Sequence, residues 1–205
     1  FIKVYKKICH KQKRLFNYDL IIHSIVMQIL QDQNVLHGNI CTIGDGKANF
    51  VHGLLKNSNV KKIFSVNLPQ ALIQDYLILK KYDSIDNSLI KIVENKNDIN
   101  DKYKLFLIPA ENKKYLSQVD INLFVNMFSF QEMPITEIHE YIDLAISNNS
   151  FLYSLNREEK IMYDNTKINY SEYRLREKSN IIFEKEAKFQ NYFYNSKPPF
   201  IHRKK

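Results

Sequence analysis

Asn39-Ile40-Cys41-Thr42-Ile43-Gly44-Asp45-Gly46-Lys47-Ala48-Asn49-Phe50-Val51 holds two of the chain's four glycines, and the other two, Gly38 and Gly53, flank it. Ile40 to Ile43 read as a short buried strand, and Asn49 to Leu55 as the opening turns of a helix. The Gly-Asp-Gly segment between them is then a strand–loop–helix junction. Without side chains there, the backbone can pass close to a ligand, and the helix start offers free N–H groups. Nucleotide-type cofactors are held at such junctions. The loop is not a full G-x-G-x-x-G fingerprint, because Asn49 stands where the third glycine would be.

The pattern outward from this junction alternates strands with helices. Before it, Leu20, Ile22, Ile25, Val26, Ile29 and Leu30 recur at helical spacing from Asp19 onward. His23 falls in that helix, and a lone histidine on a helix reads as a surface or satisfied residue. Residues 1–18 are basic and aromatic without a clear period. After the junction, Lys62 to Leu68, Leu105 to Ile108, Ile121 to Val125 and Phe151 to Leu155 read as further strands. Pro69, Pro109 and Pro134 each fall just past a hydrophobic strand, and Pro69 suits the first position of a helix. Leu89 to Val93 is a short apolar piece with no assigned place. Asn180 to Phe183 and Phe189 to Tyr194 read as strands of an antiparallel hairpin at the sheet edge.

These features imply an α/β fold, a mostly parallel Rossmann-like sheet with helices on both faces and an antiparallel C-terminal edge. We divide it into an N-terminal basic segment and helix, 1–37, and an α/β domain, 38–205, in one compact unit. In such sheets ligands lie beyond the carboxyl ends of the strands. Gly44 to Gly46, Asn67 to Pro69, Pro109 to Glu111 and Asn126 to Met133 would share that rim.

Composition narrows the function classes. The chain has 205 residues, is 44% hydrophobic and 25% charged, and these are globular values. It begins with Phe1, so a trimmed or longer parent protein is expected. No apolar run is long enough to cross a bilayer, and there is no signal-peptide pattern. Cys9 and Cys41 are the only cysteines, which argues against a disulfide framework and for a cytoplasmic setting. No His/Cys/carboxylate spacing resembles a metal site. Thirty Lys and Arg against 22 Asp and Glu give a net charge of +8, gathered at the two ends. That balance suits a polyanionic partner or, more plainly, solubility.

Two further junctions carry candidate chemistry. Asn67 ends the second strand, where a ribose diol would be held, and Leu68 beside it could cover an adenine face. Asp75 lies too far into the following helix to replace a carboxylate there. Asn126-Met-Phe-Ser-Phe-Gln-Glu-Met133 runs from an apolar strand into a dense polar cluster. Buried, such a cluster must be bonded, either as a functional rim or as a helix-capping network. Glu132 is its candidate general base, with His139, one turn into the next helix, as the second candidate.

Four blocks resemble one known family: Cys41-Thr-Ile-Gly-Asp-Gly46, Val66-Asn-Leu-Pro69, Asp120 to Met133, and Leu152-Tyr-Ser-Leu-Asn-Arg157. Together they are similar to the successive blocks of the sugar O-methyltransferases, class I S-adenosylmethionine-dependent enzymes found in bacterial surface-polysaccharide contexts. The resemblance runs from about Ile40 to Arg157, with a weaker echo at Pro199 to Arg203, and the Ser-Phe-Gln-Glu-Met block is its most specific part. It implies S-adenosylmethionine as cofactor, bordered by Ile43, Gly44, Asp45, Gly46, Asn67, Leu68, Pro109, Ala110 and Asn126. It implies a saccharide or glycolipid acceptor whose hydroxyl attacks the sulfonium methyl in line, with Glu132 taking the proton. Two departures stand out: Thr42 replaces an acidic residue of the first strand, and Asn67 replaces an aspartate. Both remove negative charge near a cationic cofactor. A non-catalytic interaction module is the alternative they raise. An NAD-linked reductase and a nucleic-acid methyltransferase are less favoured, and the sequence leaves homo-oligomerisation open.

Overall fold

The computed structural model describes residues 1–82, 85–161, 165–184 and 187. Two helices, α1 (Ile2–Lys11) and α2 (Tyr18–Asp32), precede strand β1 (Gly38–Ile43). Then come α3 (Asn49–Leu54), β2 (Val60–Asn67), α4 (Pro69–Lys81), β3 (Ile90–Ile92) and β4 (Leu105–Pro109). β5 (Leu123–Met127), α5 (Ile135–Ser147) and β6 (Phe151–Leu155) complete the alternation. A separate ribbon pairs β7 (Glu159–Ile161) with β8 (Lys167–Asn169).

The main sheet has six strands in the order β3-β4-β2-β1-β5-β6. Every neighbouring pair in it is parallel. The strand sides alternate between two apolar clusters, as the two-residue period of a strand requires. Ile40, Ile63, Leu105, Leu107 and Val125 face α1 to α4, while Cys41, Ile43, Phe64, Phe106 and Ile108 face α5. A sheet covered on both faces needs such near-continuous hydrophobic strands. The mostly parallel Rossmann-like sheet with helices on both faces is therefore present.

Local chemistry explains the boundaries. The Asn17 side chain caps α2 by accepting the Leu20 N–H at 3.3 Å. Pro69 occupies the first turn of α4, where its missing N–H costs nothing.

Several expectations are corrected. Residues 2–11, read as aperiodic, form a helix whose short stripe of Tyr5, Ile8 and Cys9 is buried among lysines. The unassigned Leu89–Val93 piece contains β3, an edge strand paired with β4. Asn180 to Phe183 is not a strand; Ile181 and Ile182 are exposed, and among the described residues no ladder partner claims their backbone. The antiparallel component is the β7–β8 ribbon, which stands apart from the main sheet. Phe189 to Tyr194 lies outside the described residues.

Candidate functional site

From β1 the chain moves to β2 on one side and returns to β5 on the other, so the order reverses between β1 and β5. That reversal opens the crevice in which doubly wound proteins bind ligands. Register aligns the strand ends along one rim: Ile43 pairs with Val66 and Asn126, and Asn67 pairs with Pro109.

A cavity of about 260 Å³ opens at this switch point. One wall is the chain from Thr42 through Lys47; the others come from Ile22 and His23 of α2, Phe50 of α3, Met127 at the end of β5 and Phe128 just after it. Asp19, exposed at the start of α2, stands at its border. Two polar atoms in the walls have no partner. Among the described residues the Thr42 hydroxyl, on a residue 1% exposed, makes no hydrogen bond, and neither does His23 Nδ1, on a residue 9% exposed. Burial, helped by the Arg14 charge, lowers the His23 pKa to about 3, so the imidazole is neutral. Its ring meets Phe50 edge-on at 5.8 Å. An unpaired buried polar group costs about 1–3 kcal/mol. Two of them in one cavity make a wall with unmet bonding capacity.

The glycine turn is built differently from its expectation. Gly44 has φ +71, and a Cβ there would lie 2.4 Å from both Cβ and Oγ of Ser129. The space freed at Gly44 is thus taken by the turn after β5, whereas a Cβ on Gly46 would meet nothing within 4 Å. Lys47 and Ala48 also adopt left-handed φ, at 64° and 50°, which non-glycine residues rarely do. The helix start is not free either. Asp45 turns inward and its carboxylate accepts the N–H groups of Phe50 at 3.0 Å and Val51 at 2.8 Å, capping α3. Burial pushes the Asp45 pKa up to about 7; those N–H groups pull it back, and the Asp75 charge adds to the rise.

Asp75, set aside on sequence spacing, reaches back from α4 into this loop. It is fully buried and accepts the Asn67 amide at 3.4 Å. Burial raises its pKa to about 6, against the pull of Asn67 and the N–H groups of Ala48 and Lys47. Asn67 is committed on its other side too, accepting the Leu68 N–H at 3.0 Å. Leu68 is 60% exposed on the rim, and Pro109 and Ala110 beside it are half-buried.

The polar cluster after β5 is a closed network. Asn126 donates to the Ile43 carbonyl at 3.3 Å and to Ser129 Oγ, and accepts from Asn156 at 2.8 Å and from the Phe130 N–H at 3.4 Å. Both donors and both lone pairs of the amide are then used. Ser129 Oγ donates to the same Ile43 carbonyl at 2.9 Å, and Gln131 accepts the Arg157 N–H at 3.0 Å. Glu132 lies outside the cavity, exposed, in an ion pair with Lys160 at 2.8 Å. His139 is half-buried on α5, its Nε2 2.8 Å from the Glu172 carbonyl.

The expected site residues therefore fall into groups. Ile43, Gly44, Asp45 and Gly46 border the cavity. Asn67, Leu68, Pro109, Ala110 and Asn126 share the rim without bordering it, and Glu132 and His139 stand further out. Asp19, His23 and Thr42 border it unanticipated as ligand contacts. His23 had a sequence signal: it sits three residues from both Leu20 and Val26, on the buried stripe of α2. Asp75 had the same signal, being spaced with Leu72 and Leu79 on the buried stripe of α4.

A larger cavity of about 640 Å³ runs beside β6, between α5 and residues 175–184. It flanks the sheet and not its strand ends. Among the described residues no group of three or more His, Cys, Asp or Glu is placed to hold a metal ion. Among the same residues no helix is long and apolar enough to cross a membrane.

Fold and cavity together define a doubly wound α/β protein with a cavity of about 260 Å³ at its switch point. No family model matches the chain, and no curated protein sequence is similar to it. Two solved structures share part of the arrangement. One is the methyltransferase domain of bacterial CtHen1, 12% identical, with a TM-score of 0.44 over 63% of this chain and 60% of that one. The other is precorrin 8W decarboxylase of Methanobacterium thermoautotrophicum, 12% identical, with a TM-score of 0.43 over 70% of this chain and 63% of that one. The matched part spans about six-tenths of each of those chains. The likeness goes no further than that.

Proposed function

We propose that the chain is an S-adenosylmethionine-dependent O-methyltransferase acting on a hydroxyl of a saccharide or glycolipid precursor, in the cytoplasm. The observation that carries the cofactor half of this reading is the switch-point cavity, whose Thr42 hydroxyl and His23 Nδ1 are buried without partners. The sugar half rests on the sequence resemblance. The cavity, at about 260 Å³, is slightly smaller than the 300–1,000 Å³ usual for a whole small-molecule site. It suits one end of the cofactor, with the remainder along the rim towards the exposed Leu68.

Bound there, the cofactor would supply an electrophilic methyl group on a cationic sulfonium. Thr42 and His23 would complete their hydrogen bonds to its polar end. Asp19 would offset its positive charge from the border of the cavity, in place of the acid missing at Thr42. The rings of Phe50 and Phe128 could add about 0.5–2 kcal/mol of cation–π attraction. Glu132, three residues along from Ser129, is the proposed base for the acceptor hydroxyl, with His139 second; Lys160 pairs with the Glu132 carboxylate and would orient it. If Glu132 is that base, Glu132→Gln lowers kcat by about 10²–10⁴-fold with S-adenosylhomocysteine affinity unchanged. An unchanged kcat would remove it from the mechanism.

A second reading has its own observation. Ser129 fills the space beside Gly44, and Asn126 is fully spent inside the protein, as in an interaction module without a cofactor. Calorimetric titration with S-adenosylhomocysteine separates the two. Saturable binding supports the enzyme, and no heat at millimolar ligand supports the module.

A further inference from the structure

Apart from Arg14, whose charge acts on His23, the cations of the N-terminal segment do not border the switch-point site. Residues 1–18 contain no acidic residue. Lys7 and Lys11 lie on one stripe of α1 with Val4 and Ile8, at the i, i+3, i+4 and i+7 positions of a single helix face. That stripe forms one wall of a separate groove of about 310 Å³, closed opposite by Lys56, just past α3, and Tyr82, at the end of α4. Its polar floor is Gln12 and His52, whose Nε2 atoms lie 3.4 Å apart; Gln12 Oε1 is buried with no partner among the described residues. Burial, with the charges of Arg14 and Lys56, depresses the His52 pKa to about 4, so the floor is uncharged.

The groove thus combines an uncharged floor and the apolar side chains of Val4, Ile8 and Tyr82 with a cationic border. None of its lining residues is acidic, and none of Lys7, Lys11 and Lys56 enters an ion pair among the described residues. Lys81 adds a fourth cation, its ammonium 5.3 Å from the centre of the Tyr82 ring. Just beyond α1, Leu15 is 88% exposed. Lysines bordering an aliphatic and tyrosine-lined trough match a ligand that is anionic at one end and hydrocarbon at the other. A nucleic-acid backbone would satisfy the lysines but leave Val4, Ile8 and the trough unfilled.

We propose that this groove docks the protein on a membrane through the phosphate headgroup of an anionic lipid, with Lys7, Lys11 and Lys56 around the phosphate and Val4, Ile8 and Tyr82 against the first carbons of its chain. This proposal does not depend on the cofactor reading. The test is co-sedimentation of the whole chain with phosphatidylcholine vesicles, with and without phosphatidylglycerol. Binding is expected only when the anionic lipid is present. The K7Q/K11Q/K56Q variant should lose roughly a hundredfold in vesicle affinity, at about 1 kcal/mol per lysine near an anionic surface. K61Q/K96Q/K102Q, which removes equal charge elsewhere, should lose much less. Dodecyl phosphate below its micelle-forming concentration should bind about tenfold or more tightly than inorganic phosphate, because its chain fills the trough. Equal losses in the two triple variants, equal affinity for the two phosphates, or binding to RNA without binding to anionic vesicles would each overturn the proposal.

Discussion

The two halves of the sheet rim were built from similar strand ends and ended up chemically opposite. On the β2–β4 side, Asn67 is bonded to Asp75 and to its own neighbour, and neither it nor Pro109 borders the switch-point cavity. On the β1–β5 side a cavity opens, and two polar atoms within it are unpaired. Even there, half of the junction is closed, since Ser129 and Asn126 both bond the Ile43 carbonyl. What separates the halves is what their unpaired polar groups face: among the described residues Asp75 Oδ1 and Ser65 Oγ are buried without partners outside the switch-point cavity, whereas Thr42 and His23 border it. Groups that have spent their bonds hold the fold, and unpaired groups that border a cavity are available to a ligand.

The sharpest way to break this contrast is at the glycine turn, where two glycines two residues apart should behave differently. Gly44→Ala must hold a left-handed φ and push into Ser129, and should cost about 2–5 kcal/mol in urea unfolding. Gly46→Ala meets nothing within 4 Å and should stay within about 0.5 kcal/mol of the parent. Similar losses at both would mean that the turn is not propped by Ser129.

A smaller effect should appear with pH, because the carboxylates holding the loop are buried. Asp45 and Asp75 have folded pKa values near 7 and 6, raised above the unfolded carboxylate range by burial. Groups shifted upward stabilise the fold fully below the unfolded pKa of about 4, and that contribution is lost as pH rises through the folded values. The thermal midpoint should therefore fall by several degrees between about pH 5 and pH 8. Asp75→Asn should flatten part of that slope; an unchanged slope would show that Asp75 does not carry it.

Much of this was legible in the sequence, and the gaps have physical causes. β2, β4, β5 and β6 could be read because both faces of the sheet are covered, which leaves nearly unbroken apolar runs, whereas the three-residue edge strand β3 could not. α1 was missed because its buried stripe is only Tyr5, Ile8 and Cys9 among lysines. The glycine loop was legible as a junction, but not the partners of its backbone, because Ser129 and Asp75 arrive from distant parts of the chain. The cavity was invisible for the same reason, since α2 supplies one of its walls. The polar run from Asn126 to Glu132 announced a network without revealing that it closes on Asn156, thirty residues away.

The smallest effect should fall on the open half of the rim. Thr42→Val removes a hydroxyl that has no partner, so stability should hold or rise by about 1 kcal/mol. A loss of stability would mean that the hydroxyl is already satisfied within the protein.

The measurement that bears most directly on the cavity as a cofactor site is calorimetric titration of S-adenosylhomocysteine into the parent chain and into Thr42→Val. Saturable binding, roughly micromolar and weakened about tenfold by the substitution, is the expected result. No heat at millimolar ligand, or the same affinity in both proteins, would contradict the account.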